Sequence, residues 1–290
     1  MAMLAALWEL SKPRIVGMVL VTTASGFFLG ADGRLTGEGT LALLSALFGT
    51  GLAAAGAAAL NNFLERDADA RMERTRKRAL PAGHIEPAHA LAYGILLVLG
   101  GVAWLAGLVN LLSAFLVLLT AFLYVLVYTP LKRVTWLNTS IGAIPGALPP
   151  MVGWAAATDG LHAGAWILFV ILYLWQHPHF YAISWMYRED YRAAGFKMLA
   201  NLDPSGCRLF RHAIFFSLVL IPASIALSAI GLTGSVYLAG SVFLGAALLA
   251  AGLHLAQHKR HADARRVLLA SVAYLPLLFG LMVLDVAFLR

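Results

Sequence analysis

Two stretches of this 290-residue chain, residues 90–129 and 213–253, contain no Asp, Glu, Lys or Arg. A single membrane-spanning helix needs about 20 apolar residues, so each stretch is long enough for two helices. A soluble domain carries roughly 25% charged residues, whereas this chain has 12%. The sequence therefore predicts an integral membrane protein that contains at least two helical hairpins.

The remaining apolar runs extend this pattern along the whole chain. Strands of a membrane barrel would show alternating polarity in segments of about ten residues, and these runs lack it. We predict an all-α polytopic membrane protein, a bundle of about nine transmembrane helices around a central cavity, in a single domain covering residues 1–290. The predicted helices lie near residues 13–30, 41–62, 90–108, 111–129, 139–157, 163–186, 209–231, 235–256 and 267–288.

The basic residues predict the orientation of the bundle. All of them except Arg34 and Arg290 fall in the N-terminal segment or in the loops after the second, fourth, sixth and eighth predicted helices. Lys and Arg concentrate in cytoplasmic loops, so we expect the N-terminus in the cytoplasm and the C-terminus outside. The absence of an Arg- and Ser-rich transit peptide favours a prokaryotic inner (plasma) membrane. No zinc-finger or helix-turn-helix pattern indicates nucleic acid as a partner.

Prolines are concentrated in the fifth predicted helix, at positions 145, 149 and 150. A proline inside a span leaves a backbone carbonyl that neighbouring groups must satisfy, and such irregular backbone is tolerated where it lines a cavity or is buried in protein. The segment is therefore either a broken helix lining a cavity or a kinked packing helix.

Four acidic and six basic side chains are concentrated in residues 61–80. On a helix, Asn62, Glu65 and Asp69 share one face because they are three and four residues apart. Such oxygen ligands suit Mg²⁺, which one or two carboxylates hold together with substrate phosphates. Asp67 points elsewhere, towards a second ion or a basic partner. A solvated loop with ion pairs is the alternative, but charges at the end of an apolar span usually mark function.

Basic side chains follow these acids and recur in the next loop on the same side. Guanidinium and ammonium groups neutralise phosphate oxygens that a metal does not reach. The combination predicts a site for a diphosphate. Its predicted cationic ligands are Arg74, Arg78, Lys132 and Arg133.

The run from Asn62 through Glu65 and Asp69 to Leu80 resembles the first motif of the UbiA superfamily of intramembrane prenyltransferases. That motif is Asn-x-x-Asp-x-x-x-Asp, followed by an Arg-Thr-x-x-Arg-Pro-Leu-like run. Glu65 stands where the family usually has aspartate, and Ala79 stands where it usually has proline. The resemblance implies a Mg²⁺-dependent prenyltransferase, with metal ligands at Asn62, Glu65 and Asp69 and a further candidate at Asp67.

Several segments of the second half resemble the protoheme IX farnesyltransferase, or heme O synthase, branch of this superfamily. They are Tyr128-Thr-Pro-Leu-Lys-Arg133, the Pro- and Gly-rich run 142–150, Trp175-Gln-His-Pro-His-Phe180 and Asp190-Tyr191. Aromatic-acceptor relatives have a second aspartate-rich motif after the sixth span, where this chain has only Glu189-Asp190. The resemblance implies farnesyl transfer from farnesyl diphosphate to the 2-vinyl group of heme b, with water addition, giving heme O. It also implies heme A synthase as a partner.

His177 and His179 stand near the end of the sixth predicted helix, with Pro178 between them. Neutral imidazole is a good iron ligand, although a membrane histidine more often packs through hydrogen bonds. The resemblance favours His179 for heme contact, then His177, and adds Trp175 and Asp190. Whether a histidine ligates iron or contacts a propionate stays open.

Two other functions remain compatible with the sequence. One is a prenyltransferase of the same superfamily that acts on a quinone precursor or another aromatic acceptor, although the second aspartate-rich motif is missing. The other is an anion transporter. Transporters often repeat interrupted spans in their two halves, and the Asn62-to-Asp69 motif has no clear counterpart in the second half.

Overall fold

The computed structural model describes residues 2–289, and within this range every regular element is helical. This confirms the predicted fold class. The helices are α1 Ala2–Leu10, α2 Pro13–Gly30, α3 Gly37–Asp69, α4 Pro87–Leu108, α5 Leu111–Phe122, α6 Thr129–Leu131, α7 Asn138–Ala147, α8 Pro149–Thr158, α9 Ala163–Met186, α10 Arg188–Ala193, α11 Leu199–Leu202, α12 Cys207–Ala229, α13 Ser235–His258 and α14 His261–Leu284. Two π-helical segments, π1 Leu123–Tyr128 and π2 Asp285–Leu289, continue α5 and α14.

Seven helices within residues 2–289 are long and apolar enough to cross a membrane: α2, α3, α4, the continuous run from α5 to α6, α12, α13 and α14 with π2. The other two predicted spans are also helical. One is divided at Leu148 into α7 and α8, which agrees with a broken rather than a kinked helix, and the other, α9, carries Gln176, His177 and His179. The chain is a multi-pass membrane protein, and the count of nine spans stays a prediction.

Helix α3 extends beyond the predicted span of residues 41–62 in both directions. Its N-cap, Thr36, accepts a hydrogen bond from the backbone N–H of Gly39 through its side chain. At its other end no proline or glycine interrupts residues 57–69, so the helix continues through the charged residues. The last turns therefore carry Asn62, Glu65 and Asp69 on rigid backbone.

Small residues let α3 and α4 approach each other closely. A Cβ atom added at Gly56 would lie 2.6 Å from the carbonyl oxygen of Gly94, and one at Gly94 would lie 3.0 Å from that of Gly56. Small side chains at such contacts are the usual basis of helix association in membranes, where the hydrophobic effect between helices is absent. This packing fixes the position of α3.

The loops that carry most basic residues lie together at one end of the bundle. The backbone N–H of Lys197 donates to the carbonyl of Lys132, at 2.7 Å. Asp190 Oδ1 accepts a hydrogen bond from the backbone N–H of Glu73, and α1 packs beneath the loop after α3 through Leu10 and Leu80. The loop after α9 therefore contacts the loop after α3.

Candidate active site

The three predicted metal ligands on α3 lie inside the protein. Asn62, Glu65 and Asp69 are 5%, 6% and 1% exposed. Their spacing of three and four residues places them along one side of the last two turns of the helix. This side faces α1 and the loops after α3 and α6, rather than the lipid.

A cation lies against each carboxylate. Lys132 Nζ is 2.7 Å from Glu65 Oε1, and Arg78 Nη1 is 2.8 Å from Asp69 Oδ2. Lys132 Nζ also lies 4.5 Å from the ring centroid of Tyr128. Removing one partner of a buried ion pair leaves an uncompensated charge that costs about 3–5 kcal/mol, so Lys132 stabilises the buried carboxylate of Glu65.

Asn62 supplies a buried oxygen without a partner. Its Nδ2 donates to the carbonyl of Leu10, at 3.2 Å, whereas its Oδ1 is buried and accepts no hydrogen bond from any residue of 2–289. Buried polar atoms are normally satisfied. An amide oxygen beside two carboxylates is a suitable donor set for Mg²⁺, a hard cation that prefers oxygen ligands. The residues therefore fit a magnesium ion.

Three polar residues that the sequence analysis did not select adjoin this cluster. Lys12 Nζ donates to Asn61 Oδ1, at 2.8 Å, and Asn61 Nδ2 donates to Thr129 Oγ1, at 2.9 Å. Thr129 in turn donates to the carbonyl of Tyr124 within the π-helical segment. The only sequence signal for this chain of bonds was the presence of polar residues at the ends of three apolar spans.

Lys12 is a partly buried cation at the start of α2. Its backbone is left-handed, with φ of 46°, which is uncommon for a residue other than glycine. Burial, and then repulsion from Arg78, lower the pKa of its ammonium group to about 7. An anion bound nearby would favour the charged form of Lys12.

A small cavity lies between α1, the end of α3 and the loop that follows α3. It brings Lys12 and Arg78 to the same space as Asn62 and Asp69. The complete lining consists of Glu9, Leu10, Lys12, Asn62, Asp69, Arg78, Leu80 and Pro81.

The other predicted diphosphate and metal ligands lie outside this cluster. The side chain of Arg74 is exposed and lies over Tyr187, with its guanidinium carbon 4.8 Å from the ring centroid. Arg133 is exposed. Asp67 is 68% exposed and forms an ion pair with Arg66 at 3.8 Å. The structure therefore brings Lys132 and Arg78 to the carboxylates and leaves these three at the surface.

The structure separates the two histidines of α9. Both ring nitrogens of His177 have partners, because Nδ1 donates to the carbonyl of Tyr173 at 2.8 Å and Nε2 lies 3.0 Å from Ser140 Oγ. Its ring stacks on Phe216 of α12, with centroids 3.5 Å apart. His177 is fully buried and therefore serves as a packing residue in this conformation.

His179 faces α14 instead. Its Nδ1 lies 2.8 Å from Ser271 Oγ, and its ring stacks on Trp175 with centroids 4.9 Å apart. Trp175 Nε1 donates to the carbonyl of Ser271, at 2.8 Å. Among residues 2–289, no hydrogen-bond partner is recorded for His179 Nε2, so His179 retains a ring nitrogen that a ligand can use.

Asp190 belongs to a different region from these aromatic residues. It lines a surface pocket between the loop after α3 and the segment after α9, together with Glu73, Arg74 and Tyr187. The structure therefore places Asp190 beside the loop that carries the diphosphate candidates, and not beside His179.

Buried carboxylates, an amide oxygen without a hydrogen-bond partner and two cations lie together at one end of the membrane helices, an arrangement that suits an intramembrane enzyme acting on a diphosphate substrate. The model of the UbiA prenyltransferase family matches residues 19–278. The chain belongs to the UbiA prenyltransferase family.

Curated relatives align with nearly the whole chain. A protoheme IX farnesyltransferase of Solibacter usitatus is 46% identical over 285 residues, which cover 96% of this chain and 97% of the relative. A protoheme IX farnesyltransferase of Salinibacter ruber is 43% identical over 282 residues, which cover 96% and 99% of the two chains.

Solved structures support the fold. A digeranylgeranylglyceryl phosphate synthase superposes with a TM-score of 0.81 at 16% identity, covering 99% of both chains. A UbiA homologue from Archaeoglobus fulgidus bound to DMAPP and Mg²⁺ gives a TM-score of 0.64 at 15% identity, covering 96% of this chain and 99% of the other. At these identities the likeness concerns the fold alone.

Proposed function

We propose that the protein transfers the farnesyl group of farnesyl diphosphate to the 2-vinyl group of heme b, with addition of water, giving heme O. The observation that carries the proposal is the buried cluster of Asn62, Glu65 and Asp69 with Lys132 and Arg78. The acceptor and the prenyl donor are supported by relatives of 38–46% identity called protoheme IX farnesyltransferase.

The proposed roles follow from charge and position. Asn62, Glu65 and Asp69 would hold Mg²⁺, which would supply positive charge against the negative charge that builds on the diphosphate as the carbon–oxygen bond breaks. Lys132 and Arg78 leave their carboxylates and bind phosphate oxygens that the metal does not reach. The apolar helices around the prenyl chain keep water from the allylic cation until a carbon–carbon bond to the vinyl group has formed. Water then adds to the resulting cation and loses a proton.

The remaining ligand assignments are also part of the proposal. Arg74 and Arg133 reach the diphosphate from the rim, and Asp67 is the candidate for a second ion. His179, with Trp175, contacts heme, and Asp190 and His177 are the further heme candidates. We propose an inner-membrane enzyme formed by one domain of residues 1–290, with its N-terminus in the cytoplasm, its C-terminus outside and heme A synthase as the consumer of its product.

The direct test is to incubate purified protein with heme b, farnesyl diphosphate and Mg²⁺ and to analyse the hemes by chromatography and mass spectrometry. We expect a heme heavier by one farnesyl group and one hydroxyl group. A phenolic acceptor that reacts while heme does not would favour a quinone-precursor prenyltransferase. Movement of an anion across vesicles without covalent change would favour a transporter.

Replacing His179 by alanine is expected to weaken heme binding about tenfold, the effect of losing roughly 1.4 kcal/mol of contact, and to leave farnesyl diphosphate binding unchanged. The measurement is a titration of each ligand followed by heme absorption and by calorimetry. His84→Ala removes an exposed histidine and is the matched control. Equal heme affinity in the His179 variant and the control would contradict the assignment.

Lys12 lines the same cavity as Asn62 and Asp69, and we propose that its ammonium group donates to a diphosphate oxygen. Replacing Lys12 by methionine is expected to raise the KM for farnesyl diphosphate about tenfold, because methionine keeps the side-chain length and removes this charge-assisted hydrogen bond. Steady-state kinetics with varied farnesyl diphosphate measures the effect. Arg14→Met removes an exposed cation two residues away and should leave the KM unchanged. A Lys12 variant with an unaltered KM would exclude Lys12 from the diphosphate site.

A further inference from the structure

A second group of ligand atoms lies where α13 ends and α14 begins. His254 and His258 are one turn apart at the end of α13, and Asp263 lies in the first turn of α14. One ligand atom from each of the three residues lies within 4.8 Å of the others. The proposed transfer reaction uses none of these residues.

The hydrogen bonds of His258 orient it as a ligand. Its Nδ1 lies 3.0 Å from the carbonyl oxygen of His254, and because a carbonyl only accepts, Nδ1 carries the proton. Nε2 is then the basic nitrogen. Histidines that bind metals commonly donate their other ring N–H to a backbone carbonyl in this way.

A cation already lies between the other two residues. Arg266 Nη1 is 3.0 Å from Asp263 Oδ1 and 3.3 Å from His254 Nε2. The side chain of Arg266 is 64% exposed, whereas that of Asp263 is fully buried. The arginine is therefore free to move into solvent, while the carboxylate stays in place.

A second arginine holds the carboxylate in its position. Arg260 Nε lies 2.8 Å from Asp263 Oδ2, and Arg260 Nη2 donates to Oδ1 at 3.3 Å. Oδ1 also lies 3.3 Å from His254 Nε2. A hydrogen-bonded carboxylate of this kind is the usual supporting arrangement around a metal.

We propose that His254, His258 and Asp263 form a binding site for a divalent transition metal, represented by Zn²⁺, and that the metal displaces the guanidinium of Arg266. Two imidazoles and one carboxylate are a known zinc donor set that leaves a fourth position for water. Imidazole ligands favour zinc over magnesium, which prefers oxygen. The site is therefore chemically distinct from the Asn62, Glu65 and Asp69 cluster.

The position of the site gives the metal a structural role. Lys259, between the two helices, donates from Nζ to the carbonyl of Ser205, at 3.0 Å, and accepts a hydrogen bond from Trp185 Nε1 at its own carbonyl. The turn thus rests on the segment after α9, which contacts the loop of the candidate active site. Metal bound there links α13 to α14 and stabilises this turn against its neighbours.

The test is a calorimetric titration of Zn²⁺ into the purified full chain. The protein carries an affinity tag without histidine, and excess Mg²⁺ is present to occupy the Asn62, Glu65 and Asp69 cluster. We expect one tight zinc equivalent in the wild type and at least about tenfold weaker binding in His254→Gln and in His258→Gln. The matched control is His261→Gln, which removes an exposed histidine from the same turn and should bind zinc as the wild type does. Both ligand histidines are accessible to solvent. A melting curve of each variant is the control for correct folding.

Arg266→Gln supplies a test with the opposite sign. Removing a positive charge that competes for the site should strengthen zinc binding about fivefold or more, an effect that loss of structure would not produce. Any one of three results would overturn the proposal. The wild type could lack a tight zinc equivalent, or His258→Gln and His261→Gln could bind zinc equally well. The third is zinc binding in Arg266→Gln that is no tighter than in the wild type.

Discussion

Replacing Asp69 by asparagine is expected to lower farnesyl transfer by at least about 10³-fold, the scale seen when one group that stabilises transition-state charge is removed. The amide keeps the shape of the side chain but loses the charge that binds Mg²⁺. Heme affinity should stay within about twofold of the wild-type value, since the heme candidates lie on other helices. Single-turnover product formation and a heme titration measure the two effects.

The control for this variant is Glu86→Gln. Glu86 is an exposed acid in the same loop region, and its recorded ion-pair partner is His89, at 3.7 Å. We expect it to retain full activity. If the Asp69 variant turned over heme b at a rate comparable to that of the Glu86 variant, the metal assignment on α3 would be wrong.

Replacing Lys132 by glutamine is expected to lower turnover by about 10²- to 10³-fold, because the diphosphate loses a cation that stabilises the departing oxygens. The same change should reduce stability, because it leaves the buried Glu65 carboxylate without its cation, a loss of about 3–5 kcal/mol. Chemical denaturation and turnover at saturating substrate measure these effects separately.

The double variant Glu65→Gln with Lys132→Gln distinguishes the two roles of the lysine. Neutralising both partners should restore most of the stability and none of the activity. Arg71→Gln, which removes an exposed cation near the end of α3, is the control for charge alone. Full activity in Lys132→Gln would show that the lysine serves only as the counterion of Glu65.

The sequence predicted the helices well because charge-free runs leave few alternatives in a membrane. It did not predict the true end of α3, because hydropathy falls where a helix leaves the apolar region and not where its backbone hydrogen bonds stop. Pro145, Pro149 and Pro150, which restrict the backbone directly, made a break in this span one of two predicted alternatives. Structural features that depend on neighbouring residues in the sequence were therefore the easier ones to predict.

The site was predictable only in part, for a related reason. Helical spacing brought Asn62, Glu65 and Asp69 to one face, but it did not show that Lys132 pairs with Glu65, since that contact depends on how α3 packs against the end of α6. Lys12 was missed because its partner, Asn61, is 49 residues away.

Helical geometry also explains the separation of the two histidines. Residues two apart on an α-helix are about 200° apart around its axis, so His177 and His179 face different neighbours.

The paired charges on α3 also have a consequence for loading. With Lys132 on Glu65 and Arg78 on Asp69, each of these two carboxylates is matched by a positive group. Binding of magnesium alone would leave the two displaced cations without partners in a low-dielectric interior. Binding of diphosphate alone would leave the two carboxylates without partners. Under the proposed function, simultaneous binding of the metal and the prenyl diphosphate would exchange one balanced set of partners for another, so we expect the enzyme to bind the two as a complex.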